Sequence, residues 1–168
     1  MAAPLMPKVK EVEQDACRRA FEAVSTNYVL SALQRDVCEH VQELGFQVKN
    51  EVMDTATAYT VDILLVDSSV REDALEEGCD GSKGCAIEVD GPCHFRAGSR
   101  RPLGHTVIKR RHLKKMGYVL VSVPYWEWDV IQHASTPLEL PVKKREKRRL
   151  LRRFLSPVLL LPASDNAQ

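Results

Sequence analysis

The sequence predicts an α/β domain, and three observations carry that prediction. The chain has 168 residues, enough for the core of one two- or three-layer α/β domain and too few for a second independent one. Apolar residues recur at helical spacing in some stretches and at strand spacing in others, in the order helix, strand, strand, strand, helix, strand. At 44% hydrophobic and 28% charged residues the composition is that of a globular protein, and the longest apolar runs, residues 63–66 and 158–161, are too short to span a bilayer.

Two helices open the chain. Over residues 8–24, Val12, Ala16, Ala20, Phe21 and Val24 recur about one turn apart, and a second amphipathic run extends from Ser25 or Thr26 through Leu44 to a stop at Gly45. Residues 46–52 alternate Phe46, Val48 and Val52 with polar neighbours, and residues 60–66 are a denser apolar run with Asp62 embedded. Both read as strands, joined by a hairpin over 54–59. Residues 67–84 are acidic, rich in Gly, Ser and Asp and without apolar period, which marks a solvated loop or insertion.

The sequence CAIEVD at 85–90 is a short strand ended by Gly91-Pro92. Residues 104–116 are helical with Gly117 as their stop, and YVLVSV at 118–123 is a buried strand. After Pro124, Tyr125-Trp126-Glu127-Trp128 begins a helix reaching about His133, and a last helix runs from Leu138 or Val142 to Leu155. A polar tail at 163–168 reads as disordered.

The net charge of +1 conceals an asymmetry. Residues 1–90 hold 8 Lys/Arg against 18 Asp/Glu, whereas residues 91–168 hold 16 against 5. A basic half of this size is the footprint of a polyanion binder, because neutralised phosphates release condensed counterions. The acidic half serves solubility. Five cysteines, odd in number and without CxxC spacing, read as reduced thiols in a reducing compartment. The first ten residues contain no apolar core of signal-peptide length, and the stretch that follows has at least as many acids as bases, wrong for an intact transit peptide, which predicts a cytosolic chain or one whose presequence is absent or internal.

Acids inside apolar strands are costly to bury and persist where they are hydrogen-bonded or bind a cation. Asp62 on one strand, with Glu88 and Asp90 on one face of the next, therefore form the sharpest polar constellation. Converging, they would hold a magnesium ion that polarises a phosphoryl oxygen, with His94 orienting a phosphate or acting as general acid. The structural alternative has Asp90 bonding backbone N–H groups at the Gly91-Pro92 turn, Glu88 paired with Lys109 or Arg110, and His94 structural or merely solvated.

Arg96, Arg100 and Arg101 in a glycine-bearing loop precede His105, Lys109, Arg110, Arg111, His112, Lys114 and Lys115 on one helix, leaving Val107, Ile108, Leu113 and Met116 to face the core. That clustering predicts a phosphate-binding surface rather than a solvated face alone. Tyr125 and Trp126 beside it can stack on unpaired bases, and at least one of Trp126 and Trp128 is expected in the core. Eight cations, Lys143, Lys144, Arg145, Lys147, Arg148, Arg149, Arg152 and Arg153, crowd about three helical turns. They repel one another unless anions neutralise them, so this helix is the first choice for RNA contact.

Ile87-Glu88-Val89-Asp90-Gly91-Pro92-Cys93-His94-Phe95, followed by Gly104-His105-Thr106, Lys109-Arg110-Arg111-His112-Leu113, Gly117-Tyr118 and Val123-Pro124-Tyr125-Trp126-Glu127-Trp128, closely resembles the RAP domain. That is an RNA-binding domain abundant in apicomplexans and found at the C-termini of organellar RNA-processing proteins. The resemblance runs from about residue 46 to 133. It divides the chain into an N-terminal helical segment (1–45), a RAP core (46–133) and a basic C-terminal helix and tail (134–168).

RAP domains are similar to the PD-(D/E)XK nuclease superfamily, most of all to the very-short-patch repair endonuclease. The resemblance implies a restriction-endonuclease-like mixed central sheet flanked by helices, with Asp62 and Glu88 at the superfamily's metal-binding positions. Its lysine position is Asp90 here, which favours binding without hydrolysis, although the repair endonuclease also departs from that lysine. The expectation is a non-catalytic RNA-binding protein without cofactor, mitochondrial or alternatively plastid. It would work among protein neighbours in a ribonucleoprotein, with the RNA of a mitochondrial ribosome as one target. The rivals are a magnesium-dependent endoribonuclease using Asp62, Glu88, Asp90 and His94, and a protein-interaction module whose basic helix docks on an acidic partner.

Overall fold

The structure, a computed structural model, describes residues 13, 16–17, 19–20, 30–55, 57–66, 70–71, 75, 81–134 and 139–159. Most of the first expected helix and of the acidic loop, and all of the polar tail at 163–168, lie outside them. The elements are α1 (Ala32–Glu43), β1 (Gln47–Met53), β2 (Thr60–Val66), β3 (Cys85–Asp90), a short 3₁₀ turn (Pro92–His94), α2 (Gly104–Lys115), β4 (Val119–Pro124), α3 (Tyr125–Gln132) and α4 (Leu140–Leu155).

The helix expected from Ser25 or Thr26 begins only at Ala32, because Ser31 is its cap. Ser31 has extended backbone, and its hydroxyl accepts from the Gln34 N–H at 3.0 Å, satisfying a donor that the first turn leaves open. Gly45, at φ +92°, supplies the left-handed residue that ends the helix.

β1 and β2 pair antiparallel from Gln47↔Val66 to Met53↔Thr60 across the expected hairpin, where the Asp54 carboxylate accepts from the Thr57 N–H at 3.0 Å and holds the turn. β2 pairs antiparallel with β3, and β3 parallel with β4, giving a mixed four-stranded sheet in the order β1-β2-β3-β4. The parallel pair requires a crossover, which α2 provides.

All six residues of β3 are buried, so both faces of the sheet are covered. On one face Ile63, Leu65, Ile87, Val89, Val121 and Val123 pack with Val37 and Val41 of α1, Trp128 of α3 and Leu150, Leu151 and Leu155 of α4. The Trp128 ring is 1% exposed, and its indole N–H donates to Asp36 at 2.8 Å, which makes it the tryptophan expected in the core. On the other face a smaller cluster joins Ala86, Leu113 and Tyr118 under α2. That face of β3 also carries Glu88 and Asp90, and it positions the site.

Candidate nucleic-acid interface

Strand alternation places Ala86, Glu88 and Asp90 toward α2, and the two acids are 2% and 0% exposed. Each meets a cation from α2. Lys109 Nζ donates to Glu88 Oε2 at 2.5 Å and lies 4.0 Å from Asp62 Oδ1, while the Arg110 guanidinium bonds Asp90 Oδ2. Ser122 Oγ donates to the same Asp90 oxygen at 2.5 Å, and His94 Nδ1 stands 3.0 Å from the other. Asp62 Oδ2 accepts from the Val89 N–H at 2.7 Å, tying β2 to β3.

These contacts correct the expected orientation of α2. Val107 and Ile108, expected to face the core, are 46% and 42% exposed, whereas Lys109 and Arg110 turn inward beside buried Thr106 and Leu113. Uncompensated buried carboxylates cost more than two exposed aliphatic side chains, so the acids decide which way the helix is rotated. Glu88 pairs with Lys109 as the structural alternative had it. Asp90, by contrast, is held by three side chains and not by backbone N–H groups of the Gly91-Pro92 turn.

Asp62, Glu88 and Asp90 do not fit a magnesium ion as they stand. An ammonium is bonded to Glu88 and approaches Asp62, and both oxygens of Asp90 are engaged. Among the described residues no group of three or more His, Cys, Asp or Glu has an arrangement that would hold a metal ion.

Burial, reinforced by the neighbouring Asp62 charge, pushes Glu88 up to about 7 despite Lys109. Burial likewise raises Asp62. For Asp90 burial acts upward, but the bonds from His94, Ser122 and Arg110 outweigh it and hold the carboxyl below its usual range. The Asp90 bond in turn raises His94 above the ordinary imidazole value, against an opposing contribution from burial.

Outside this cluster the surface is cationic. Arg96, Arg100, Arg101, His105 and Arg111 are exposed, and Lys114 is half-buried. The loop holding the three arginines ends at Leu103, whose N–H donates to the His94 carbonyl at 2.8 Å, so it is anchored to the charged cluster. Tyr125 and Trp126, at the start of α3, are half-buried and pack edge to face with each other at a centroid distance of 5.4 Å.

The eight cations of α4 divide between two faces. Lys147 is 6% exposed and bonds Asp36 at 2.6 Å, so burial removes it from any RNA contact. Lys144 reaches Glu39 and Glu43 of α1 at 3.3 and 3.0 Å, Arg148 reaches Glu43 at 3.3 Å, and Lys143 donates to the Gln132 carbonyl at 3.0 Å. The anions that relieve repulsion on this side are carboxylates of the chain itself. Arg145, Arg149, Arg152 and Arg153 are exposed, the first three one turn apart, and Arg153 also bonds Glu127 at 2.8 Å beside Trp126 in the chain.

Two members of the charged cluster escape a reading of motifs. Glu51 faces Asp62 across the hairpin, bonds Gln34 at 2.7 Å and is raised by burial and by Asp62. Extending the hairpin register from the turn would have found it. Ser122 is the one serine inside YVLVSV, which was the signal for it.

Residues 87–135 match the RAP domain family. The chain is 33% identical over 109 residues to "RAP domain-containing protein, chloroplastic" of Oryza sativa subsp. japonica, covering 65% of this chain and 14% of that protein. It is 35% identical over 81 residues to "FAST kinase domain-containing protein 3, mitochondrial" of Bos taurus, covering 46% and 12%, and 33% identical over 98 residues to the Homo sapiens protein of the same name, covering 54% and 14%. The chain thus spans about one seventh of the length of these relatives. The matched family segment begins in β3, so β1 and β2, which complete the sheet and supply Asp62, lie outside it.

Proposed function

Residues 87–135 are a RAP domain, and from that premise we propose that the protein is a non-catalytic RNA-binding protein of an organelle. The observation that carries the reading is the division of charge. Lys109 and Arg110 compensate the buried acids, while Arg96, Arg100 and Arg101 remain exposed beside two half-buried aromatic rings. Exposed guanidinium groups are suited to phosphate oxygens, and a carboxylate cluster bonded to its own cations is suited to rigidity rather than to hydrolysis. The mitochondrial and chloroplastic names of the relatives support an organellar setting, with the mitochondrion preferred. A restriction-endonuclease-like arrangement of the mixed sheet is the finer fold assignment that accompanies this reading, and ribosomal RNA of a mitochondrial ribosome is its narrower target.

The test is retention and cleavage of labelled structured and single-stranded RNA on a gel, with magnesium or with EDTA. Retention without cleavage in both conditions is expected, with log affinity falling steeply against log salt. Magnesium-dependent cleavage that Asp62→Ala abolishes without unfolding the protein would replace this reading with an endoribonuclease. Crosslinking in isolated mitochondria, followed by identification of the attached RNA, decides whether the target is ribosomal.

A further inference from the structure

The loop after β3 folds back on itself beside the first turn of α3. Phe95 and Pro102 pair across it, the Arg96 N–H donates to the Arg101 carbonyl at 2.9 Å, and the Ser99 N–H donates to the Arg96 carbonyl at 3.0 Å. Gly98 makes the reversal at φ +68°, a conformation that favours glycine. An open cavity of about 420 Å³ lies between this loop and α3, within the size range of small-molecule sites.

The cavity has two chemically distinct parts. Pro92, Phe95, Tyr125 and Trp126 supply apolar and aromatic lining, with Phe95 buried and packed edge to face on Trp126 at a centroid distance of 4.5 Å. Arg96 and Arg100 also line the cavity and are exposed, and the Arg100 guanidinium lies over the Trp126 ring, 5.3 Å from its centroid. Among the described residues neither arginine pairs with a carboxylate, unlike Lys109, Arg110 and the inward cations of α4.

We propose that this cavity takes one unpaired nucleotide of a bound RNA, its base against Trp126 and its phosphate on Arg96 and Arg100. The inference rests on the RNA-binding reading above and narrows it to a single-stranded or looped segment. Arginines alone would bind any polyanion, duplex or acidic peptide included. What a concave aromatic wall adds is a place for a flat apolar face, which RNA offers only where a base has left the stack. An acidic peptide would leave that wall uncovered.

The experiment measures affinity of the full chain, by fluorescence anisotropy, for a short single-stranded RNA, for the duplex of the same sequence and for a polyglutamate peptide. Trp126→Ala is expected to weaken single-strand binding by about 5- to 150-fold, the range for loss of one stacked base, and to leave duplex binding unchanged. Trp126→Phe, which keeps an aromatic face, restores most of the affinity, and Arg100→Ala weakens single-strand binding in a protein that unfolds as the wild type does. Single-strand binding by Trp126→Ala at wild-type strength overturns the nucleotide site while leaving RNA binding in place. Equal losses for single strand and duplex, without rescue by Trp126→Phe, also overturn it, since they mark Trp126 as structural. A wild-type chain that binds polyglutamate and neither RNA overturns the RNA reading itself, and this inference with it.

Discussion

The two faces of the sheet are each covered by a strongly basic helix, and the two helices use their charge in opposite ways. On the apolar face α4 buries Leu150, Leu151 and Leu155, hands Lys144, Lys147 and Arg148 to acids of α1, and leaves an arginine stripe outside. On the other face α2 buries one leucine and turns Lys109 and Arg110 inward onto Glu88 and Asp90, leaving Val107 and Ile108 in solvent. The opposing surface sets the rotation of each helix. A run of lysines and arginines is a polyanion footprint only after the acids inside the fold have taken their share.

The largest effect expected is on the apolar face. Trp128→Ala removes a fully buried ring together with its bond to Asp36, and large-to-small core changes of this kind cost about 3–5 kcal/mol, read as a shift in urea midpoint. A loss below about 1 kcal/mol would mean that the ring is not the core element described. On the charged face Asp90→Asn leaves Arg110 without its buried counter-ion and is expected to cost about 3 kcal/mol. If that variant were as stable as the wild type, charge compensation would not be what orients α2.

The charged face is also distinguished by pH. The folded Glu88 carboxyl, raised to about 7, lies above the unfolded value of about 4.3, so between these the folded chain keeps a proton that the unfolded chain has lost. Stability therefore falls as pH rises through that window. His94 acts in the same sense, because its folded value is also raised and its contribution, complete below about 6.5, is lost as pH climbs past it. Glu88→Gln is expected to flatten the fall between about pH 5 and 6 and to leave the His94 part above it. Denaturant titrations across pH check this, and an unchanged slope in the variant would assign the proton uptake elsewhere.

Strand periodicity made the sheet legible, since residues 60–66 and 85–90 alternate or run apolar between clear turn signals, and both strands occupy those bounds. The start of α1 was less legible because amphipathic spacing continues upstream of Ser31, and only the cap decides where the helix begins. In the site, the pairing of Glu88 with α2 was readable from chain order. The rotation of α2 was not, because its apolar residues and its cations compete for the same inward positions and only burial of Glu88 and Asp90 settles the contest. Lys147 illustrates the same limit on α4, where its partner Asp36 is 111 residues away in sequence.

The finest distinction lies within α4, between two adjacent arginines of equal charge. Arg148 turns toward Glu43, with its side chain 40% exposed, whereas Arg149 is 82% exposed and, among the described residues, pairs only with Glu146 of its own helix at 3.7 Å. Arg148→Ala is expected to cost no more than about 1 kcal/mol of stability, the ceiling for a partly exposed pair, and to leave the salt dependence of RNA binding unchanged. Arg149→Ala is expected to leave stability unchanged and, where that arginine touches phosphate, to lower the slope of log affinity against log salt by about 1. Denaturation and salt titrations on the two variants separate the roles. If both reduced the slope alike, the inward face of α4 would also be open to RNA, and the pairing of its cations with α1 would have to give way on binding.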